Sequence, residues 1–468
     1  MTLLLTTLMA GALLQAAPTP PAPPRAPRMA LTALAPAPRA SFRMPHFRIP
    51  RLARLRAVNP RPGPDSAQVV ALLAHLAAAD VAVCELAVDM LGNGWNWGSR
   101  WAELSALRDA RTPASAARLR YSGAVTDRRA LPVLEAALGR EQPCVRRAAA
   151  RLLGGSSLPE ATAGLRRALA HRDGIVREAA LLGLGISEDP GSFTAVLQAV
   201  SDRDPEVVRM AAWALGEYED PRALTPLIRL LDRSEAGIRR AAVYALGTIE
   251  DPRATRPLIP MLKDRDEGVR LEAVSALGDI EDPAATAPVA DLLRDPSPDI
   301  REAAAHALGS IEDAGAVPGL IRALEDRTPA VRVAAASALG SIEDNAAAPA
   351  LGKALSDPVA EVRREAISAL GSLDDLERAP EGLFGLMKDA DPELRQLTAE
   401  TLGSIGDPRA VPALGGALAD QDVDVRRSVV SALGSIESAA VAPLLVRALK
   451  DEDGEVRRLA AEGLGQDH

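Results

Sequence analysis

Few side chains in this sequence are of the kinds that bind metals or act as nucleophiles. The 468 residues include only five histidines and two cysteines, and none of the histidines is followed by a glutamate. No His-Glu-x-x-His motif occurs, and no group of Cys and His residues has the spacing of a zinc site. We therefore expect no catalytic residue, no metal site and no cofactor.

Tryptophan is concentrated in one glycine-rich segment. Three of the four tryptophans, Trp95, Trp97 and Trp101, lie in the sequence GNGWNWGSRW, residues 92–101. The glycine spacing does not match a phosphate-binding loop, and no predicted strand precedes it. Two interpretations stay open: the indole rings cover the end of a helical array with their N–H groups towards water, or they form a ligand-binding aromatic patch.

Charge is distributed unevenly along the chain. Residues 1–64 contain nine of the 54 basic side chains, all of them Arg, and none of the 63 acidic ones. The rest of the chain therefore carries a net charge of −18. Binding to nucleic acid needs clustered cations that replace condensed counterions, so we expect no nucleic-acid partner.

The N-terminal 65 residues do not have the composition of a packed domain. Residues 1–17 resemble the apolar region of a secretory signal, but they lack a cationic start and a clean small-x-small cleavage site. Three interpretations stay open: export with cleavage, retention as a short membrane anchor, and a misplaced start codon, which would leave the protein cytoplasmic. Residues 18–65 are rich in Pro, Ala and Arg, which predicts a disordered basic linker. Within it, residues 41–56 fit either a solvated tether or a peripheral contact with an anionic membrane.

From residue 66 onward the sequence repeats with a period of 31 residues, once of 32. Its clearest sign is a Leu-Gly pair, whose glycine we call the marker glycine. The marker glycines are Gly154, Gly185, Gly216, Gly247, Gly278, Gly309, Gly340, Gly371, Gly403, Gly434 and Gly465. Counting backwards reaches Gly123 and Gly92, which predicts about thirteen units, with degenerate capping repeats at 66–123 and a regular array at 124–468.

Each unit reads as two short antiparallel helices. In residues 250–280, Asp251 is a candidate N-cap with Pro252 in the first helical turn. Apolar residues then recur with helical spacing on both sides of a polar break. Gly278 follows the second apolar stripe, where a left-handed C-cap is expected. One such pair cannot bury its apolar stripes alone, so the units must stack.

The repeat period also bears on the two cysteines. Counting units places Cys84 and Cys144 about two units apart, on the order of 20 Å by helix spacing. A disulfide cannot span that distance. We expect both cysteines to be small buried hydrophobes.

Two charged columns recur through the units. An Arg stands eight residues before most marker glycines and an Asp fourteen residues before, and a guanidinium can bridge a carboxylate and the carbonyls of a neighbouring turn. We expect them to form a structural ladder between units. Its central members are Arg270, Arg301, Arg332, Asp264, Asp295 and Asp326.

These residues carry a resemblance to a known family. Units with an Asp-Pro-Arg-Ala turn (251–254), Val-Arg (269–270) and Ala-Leu-Gly (276–278) resemble HEAT repeats of the subtype named after phycobilin lyases. The resemblance implies an all-α fold: a right-handed α-solenoid of about thirteen two-helix repeats, with second helices lining the inner surface. It also implies a scaffold that binds proteins and no catalysis. Related helical-repeat hydroxylases, which the fold also resembles, use His-Glu pairs to hold iron, and this chain has none.

One column of the second helices varies while its neighbours hardly change. It lies three residues before each marker glycine and should face solvent on the inner surface. We take six of its members as candidate partner-binding residues: Arg151, Trp213, Tyr244, Ser275, His306 and Glu400. Exposed aromatic residues are typical of protein-binding hot spots, although random surface variation explains the column about as well.

The sequence thus favours a non-enzymatic scaffold that binds a protein or peptide. Acidic turns such as Glu250-Asp251 would attract a basic partner at low salt. We expect a monomer that is exported or membrane-associated. The alternatives are a phycobilin lyase-like enzyme or subunit, and the soluble sensor part of a larger membrane-associated protein.

Overall fold

The computed structural model describes residues 64–78, 125–373 and 376–465, which all belong to one compact unit, Pro60–His468. Every regular element in these ranges is a helix. The segments that contain Cys84, the three clustered tryptophans and the N-terminal arm lie outside the described residues, so the predictions made for them stay predictions.

Short first helices alternate with longer second helices along the chain. In chain order the α-helices are α1 (Ser66–Ala78), α2 (Leu131–Ala137), α3 (Pro143–Gly154), α4 (Pro159–Ala168), α5 (Gly174–Ser187), α6 (Phe193–Ala199), α7 (Pro205–Glu217), α8 (Leu224–Leu230), α9 (Ala236–Ile249), α10 (Thr255–Leu258), α11 (Glu267–Ile280), α12 (Thr286–Asp291), α13 (Pro298–Ile311), α14 (Val317–Ala323), α15 (Pro329–Ile342), α16 (Ala348–Ala354), α17 (Ala360–Ser372), α18 (Glu381–Leu386), α19 (Pro392–Ile405), α20 (Val411–Ala417), α21 (Val423–Ser435), α22 (Ala442–Ala448) and α23 (Gly454–Gly465). After α1, even numbers are first helices and odd numbers are second helices. The described residues thus hold eleven helix pairs in addition to α1.

Most first helices begin with a single 3₁₀ turn. These turns and the other 3₁₀ segments are Arg128–Ala130, Pro190–Ser192, Pro221–Ala223, Pro252–Ala254, Ile259–Lys263, Pro283–Ala285, Leu292–Arg294, Ala314–Ala316, Asn345–Ala347 and Pro408–Ala410. Asp251 caps one of them by accepting a hydrogen bond from the backbone N–H of Arg253 at 2.9 Å. The Asp-Pro pair therefore starts the first helix as the sequence predicts.

The core lies between the two helix layers and is built from small aliphatic residues. In the unit 250–280 the buried apolar side chains come from both helices and are Ala254, Leu258, Leu262, Val269, Ala273, Val274, Ala276, Leu277 and Ile280. Successive second helices pack directly on one another, whereas successive first helices touch less. The predicted need for stacking is met because each apolar stripe faces a neighbouring unit.

The marker glycines have a different role from the one predicted. Gly278 lies inside α11, which continues to Ile280, and the left-handed residue is Glu281 with φ 57°. A Cβ atom on Gly278 would lie 2.9 Å from the Cα of Ala307 on α13. The prediction of a left-handed C-cap at Gly278 is therefore wrong, and the glycine instead permits close approach of successive second helices.

The first described helix packs directly on the first complete pair. The backbone N–H of Ser66 donates to Asp127 at 3.0 Å, and the Gln142 amide donates to the Ala77 carbonyl at 3.3 Å. Helix α1 thereby contacts both α2 and α3. The period of 31 predicts another unit, ending at Gly123, between α1 and this pair, yet α1 reaches the pair directly.

This packing bears on the cysteines. Cys144, the second residue of α3, is disulfide-bonded, so the prediction that it is a free buried thiol is wrong. The chain has one other cysteine, Cys84, which lies outside the described residues. Helix α1 already lies against α3, which carries Cys144, although unit counting places a further unit between them.

Candidate functional site

The six predicted partner-binding residues lie in a row, one to a second helix, and do not converge on one point. His306 on α13 and Glu400 on α19 are exposed. The other four are half-buried: Arg151, Trp213, Tyr244 and Ser275. We call the solvent-facing side of the second helices that carries this row the second-helix face. Only Trp213 on α7 and Tyr244 on α9 place aromatic side chains on neighbouring helices of the row.

A carboxylate joins these two aromatic residues. The Tyr244 hydroxyl donates a hydrogen bond to Oε1 of Glu217 at 2.9 Å. Glu217 follows Trp213 by one helical turn on α7, so both side chains leave the same face of that helix. The Trp213 ring packs over Gly185 of α5, where a Cβ would lie 2.7 Å from Cζ3 of the ring. We call Trp213, Glu217 and Tyr244 the aromatic–acidic patch.

Burial sets the acid–base behaviour of the patch. Partial burial raises the pKa of the Glu217 carboxyl, the hydrogen bond from Tyr244 opposes this rise, and the charges of Glu188 and Glu219 add to it. Burial also raises the pKa of the Tyr244 hydroxyl, and the Glu217 charge raises it further. The hydroxyl therefore stays protonated and remains a donor to the carboxylate at neutral pH.

Charged side chains beside the patch are paired with one another. Arg209 lies 2.7 Å from Glu206 and 3.2 Å from Glu178, and Arg240 lies 3.1 Å from Glu272. Burial raises the pKa of Glu178, and the nearby Arg209 opposes that rise. Among the described residues, none forms an ion pair with Glu217.

The second-helix face becomes mostly polar and rich in serine farther along the chain. A shallow depression of about 420 Å³ is lined by Glu400, Ser404, Ser428, Ser431 and Ser435, together with Arg427. Ser428 donates to Glu400 at 2.9 Å, and Gln396 donates to the same oxygen at 3.0 Å. Glu400 is therefore held by local polar groups, without an aromatic neighbour in the depression.

The central members of the charged columns form inter-unit pairs with one interruption. Arg301 lies 2.7 Å from Asp326 of the next unit and donates to the Asp295 carbonyl of its own unit at 2.9 Å. Arg332 pairs with Asp357 and Arg239 with Asp264, each at 2.7 Å.

Arg270 is the interruption. It donates to the Asp264 carbonyl at 2.9 Å, but it makes no hydrogen bond or ion pair with Asp295. The pairing expected between Arg270 and the next unit is therefore missing, while Arg301 and Arg332 keep theirs.

No other chemistry-bearing cluster stands out in the part of the chain that the structure describes. Within residues 64–78, 125–373 and 376–465, no three His, Cys, Asp or Glu side chains gather in a way that could hold a metal ion. None of the helices in those ranges is long and apolar enough to cross a membrane.

The sequence showed the aromatic residues of the patch but not the carboxylate between them. Glu217 stands one position after a marker glycine, in a column that includes Ile186 and Thr248 and is mostly Ser afterwards. This second variable column has two acidic members, Glu217 and Asp279, so it does not by itself single out Glu217. Its contact with Tyr244 of the next unit could not be read from the sequence, because it depends on how far α9 is rotated against α7.

A two-layer stack of helix pairs with inter-unit Arg–Asp pairs is an α-solenoid. The family model for HEAT repeats matches residues 103–185, 168–247, 229–309, 255–328, 286–371, 317–385 and 380–465. The chain therefore belongs to the HEAT-repeat family, which confirms the predicted family and fold class. The phycobilin lyase subtype stays a prediction.

Solved structures of similar fold include importin beta, with a TM-score of 0.52, 18% identity and coverage of 85% of this chain and 62% of that chain. Kap95p, in a structure that shows its binding to RanGDP, has a TM-score of 0.47, 15% identity and coverage of 84% and 64%. This chain thus spans less than two thirds of either importin-type chain. An engineered protein has a TM-score of 0.39, 22% identity and coverage of 72% and 98%. None of the curated proteins compared with this chain matches it.

Proposed function

We propose that this protein is a non-enzymatic scaffold that binds a protein or peptide partner on its second-helix face, centred on the aromatic–acidic patch. The observation that carries the proposal is the pair of half-buried aromatic side chains on adjacent helices, Trp213 and Tyr244. Aromatic residues that are partly exposed in a firmly packed setting are the usual anchors of protein interfaces.

The packing of the two helix layers supports this choice of face. Marker glycines bring successive second helices together, as at Gly247, where a Cβ would lie 2.7 Å from the Cβ of Ala276. First helices touch less closely. We take this more tightly spaced layer as the inner side of the solenoid, and solenoids bind partners on such concave surfaces.

The disulfide of Cys144 supports the expectation that the protein is exported. Disulfides persist in oxidising compartments and are rare in the cytosol. Together with the signal-like residues 1–17, it favours a partner that the protein meets outside the cytoplasm.

A site-specific cross-linking experiment tests the proposal. A photo-reactive amino acid replaces Ser275, beside the patch on the second-helix face, or Lys353, exposed on the first helix α16. We expect a host protein to cross-link from position 275 and not from position 353. The adduct should be lost when Trp213 and Tyr244 are both changed to Ala.

The matched control is Val446→Ala, which shortens an apolar side chain that is 50% exposed on α22. It should leave the adduct unchanged. Cross-linking that is insensitive to the Trp213 and Tyr244 changes contradicts the proposed site. A large fall in melting temperature in the double variant would instead show that these two residues are needed for packing.

A further inference from the structure

The carboxylate of Glu217 is placed as an acceptor that the protein itself uses only in part. Its Oε1 accepts the hydrogen bond from Tyr244, and no described residue donates a hydrogen bond to its Oε2. The side chain is half-buried, so the carboxylate has lost part of its hydration without gaining a cation. A desolvated carboxylate without a counter-charge is unfavourable unless a ligand supplies one.

The charged groups around the Glu217 carboxylate make its lack of a counter-charge more unfavourable. Glu188 and Glu219 act on Glu217 with like charge, and no basic side chain contributes to its electrostatics. Two guanidinium groups on the same two helices, those of Arg209 on α7 and Arg240 on α9, pair with other carboxylates. An anionic group would be repelled here, and a neutral group would leave the charge uncompensated.

We infer that the partner places a Lys or Arg side chain on the aromatic–acidic patch, with its cationic head on Glu217 and its aliphatic stem against Trp213. This inference rests on the proposed function and specifies the partner as a basic segment of a protein. Trp213 adds to the attraction because an indole ring is the best aromatic surface for a cation. Tyr244 fixes the carboxylate, so little side-chain entropy is lost when the cation binds.

The charge of the whole solenoid agrees with such a partner. Residues after the N-terminal arm carry a net charge of −18, which would draw a basic segment towards the protein before it docks. General attraction alone does not select a position. The aromatic–acidic patch selects the position, because it combines a half-buried carboxylate with a tryptophan on one helix.

Tetralysine amide serves as the probe, and tetraglutamate serves as the control peptide of opposite charge. Isothermal titration calorimetry with the full chain compares the wild type with Glu217→Gln and Trp213→Leu. The control is Glu302→Gln, which removes the same charge from a half-buried position of the second-helix face on α13. We expect tetralysine to bind about five- to tenfold more weakly to Glu217→Gln and to Trp213→Leu, and within about twofold of the wild type to Glu302→Gln. Tetraglutamate should not bind.

Three results would overturn the inference: no tetralysine binding to the wild type at millimolar concentration, equal losses in Glu217→Gln and Glu302→Gln, or no loss in Glu217→Gln. If Trp213→Leu does not fold, Glu217→Gln still decides, because glutamine keeps the volume and can accept the hydrogen bond from Tyr244. The cross-linking assay separates the two proposals. If Glu217→Gln leaves the adduct from position 275 intact while the loss of Trp213 and Tyr244 abolishes it, the docking site stands and the cationic partner does not.

Discussion

Gly278 on α11 lies so close to Ala307 on α13 that a Cβ on the glycine would be 2.9 Å from both the Cα and the Cβ of the alanine. The same relationship recurs along the stack, for example between Gly309 and Ala338 at 3.0 Å from the Cα. The glycine and the alanine together set the spacing of the second helices. The marker glycine is therefore a packing residue of the interface between units.

Substituting the marker glycine should therefore destabilise the stack. Gly278→Ala gains about 1 kcal/mol of helix propensity, but the added methyl group meets backbone that cannot move aside, a strain of typically 1–3 kcal/mol. We expect a lower urea midpoint. Gly416→Ala is the control, because its Cβ position in α20 has no atom within 4 Å beyond its chain neighbours and its own helix backbone, so propensity alone should raise the midpoint. Equal effects of the two changes would contradict the packing role.

The interrupted ladder predicts unequal costs for two similar arginines. Arg301 is 5% exposed and joins Asp326 to the Asp295 carbonyl, so Arg301→Ala should cost about 1–3 kcal/mol by leaving buried acceptors unpaired. Arg270 donates to one carbonyl, and Arg270→Ala should cost less. Chemical denaturation of both variants measures the difference. Equal losses would show that the inter-unit ion pair adds nothing to the carbonyl contact.

The repeat, its two helices and their order were predictable because small aliphatic residues with a fixed period leave one way to bury both stripes. The role of Gly278 was not, because a glycine near a helix end fits both a left-handed cap and a close contact. The structure decides between them, since the left-handed residue is Glu281, a residue type that gives no sequence signal for this conformation.

The candidate site was also predictable only in part. Trp213 and Tyr244 stand out because the rest of their column is mostly small or polar. Glu217 does not, because its importance comes from a hydrogen bond across units and from burial, and neither is periodic in the sequence. The disulfide of Cys144 was missed for a similar reason: counting units assumes that every unit in the sequence separates its neighbours in space.

The left-handed glutamates predict a simple stabilising substitution. Glu281 adopts φ 57°, a conformation that is unfavourable for a residue with a Cβ and free of cost for glycine, as at Gly406 with φ 70°. Glu281→Gly should raise the free energy of unfolding by roughly 0.5–1 kcal/mol. Glu281→Ala removes the same charge but keeps the strain, so it should give no such gain in the same denaturation assay. A gain of equal size in the alanine variant would assign the effect to charge.

The ladder also predicts a pH dependence. The hydrogen bonds from Arg239 hold the pKa of Asp264 below its usual value of 3.8. A lowered folded-state pKa means that the stabilisation is complete above about pH 3.8 and is lost as the pH falls through the folded-state pKa. Asp264→Asn should therefore be less stable than the wild type at pH 6, and the difference should shrink below pH 3.8. A difference that stays constant from pH 6 to pH 3 would mean that the carboxylate charge is not involved.

The patch should show the opposite dependence. Burial raises the pKa of Glu217 above its usual value of 4.5, so the folded state favours the protonated carboxyl, and its contribution to stability is present below pH 4.5 and lost as the pH rises through the folded-state pKa. Glu217→Gln should therefore raise the urea midpoint at pH 7 and leave it nearly unchanged at pH 4.

The same substitution weakens binding of a cation, so Glu217 is stabilising for the complex and destabilising for the free protein. Such a trade-off is expected where a charge is kept for a ligand and not for folding. Urea denaturation of the wild type and Glu217→Gln at pH 7, with and without tetralysine, measures both effects. Without the peptide, Glu217→Gln should have the higher urea midpoint. Tetralysine should reduce the difference between the two midpoints, because it stabilises the wild type more strongly. If Glu217→Gln is the less stable protein at pH 7, the carboxylate stabilises the folded protein, and its lack of a cationic partner is no evidence for a cationic ligand.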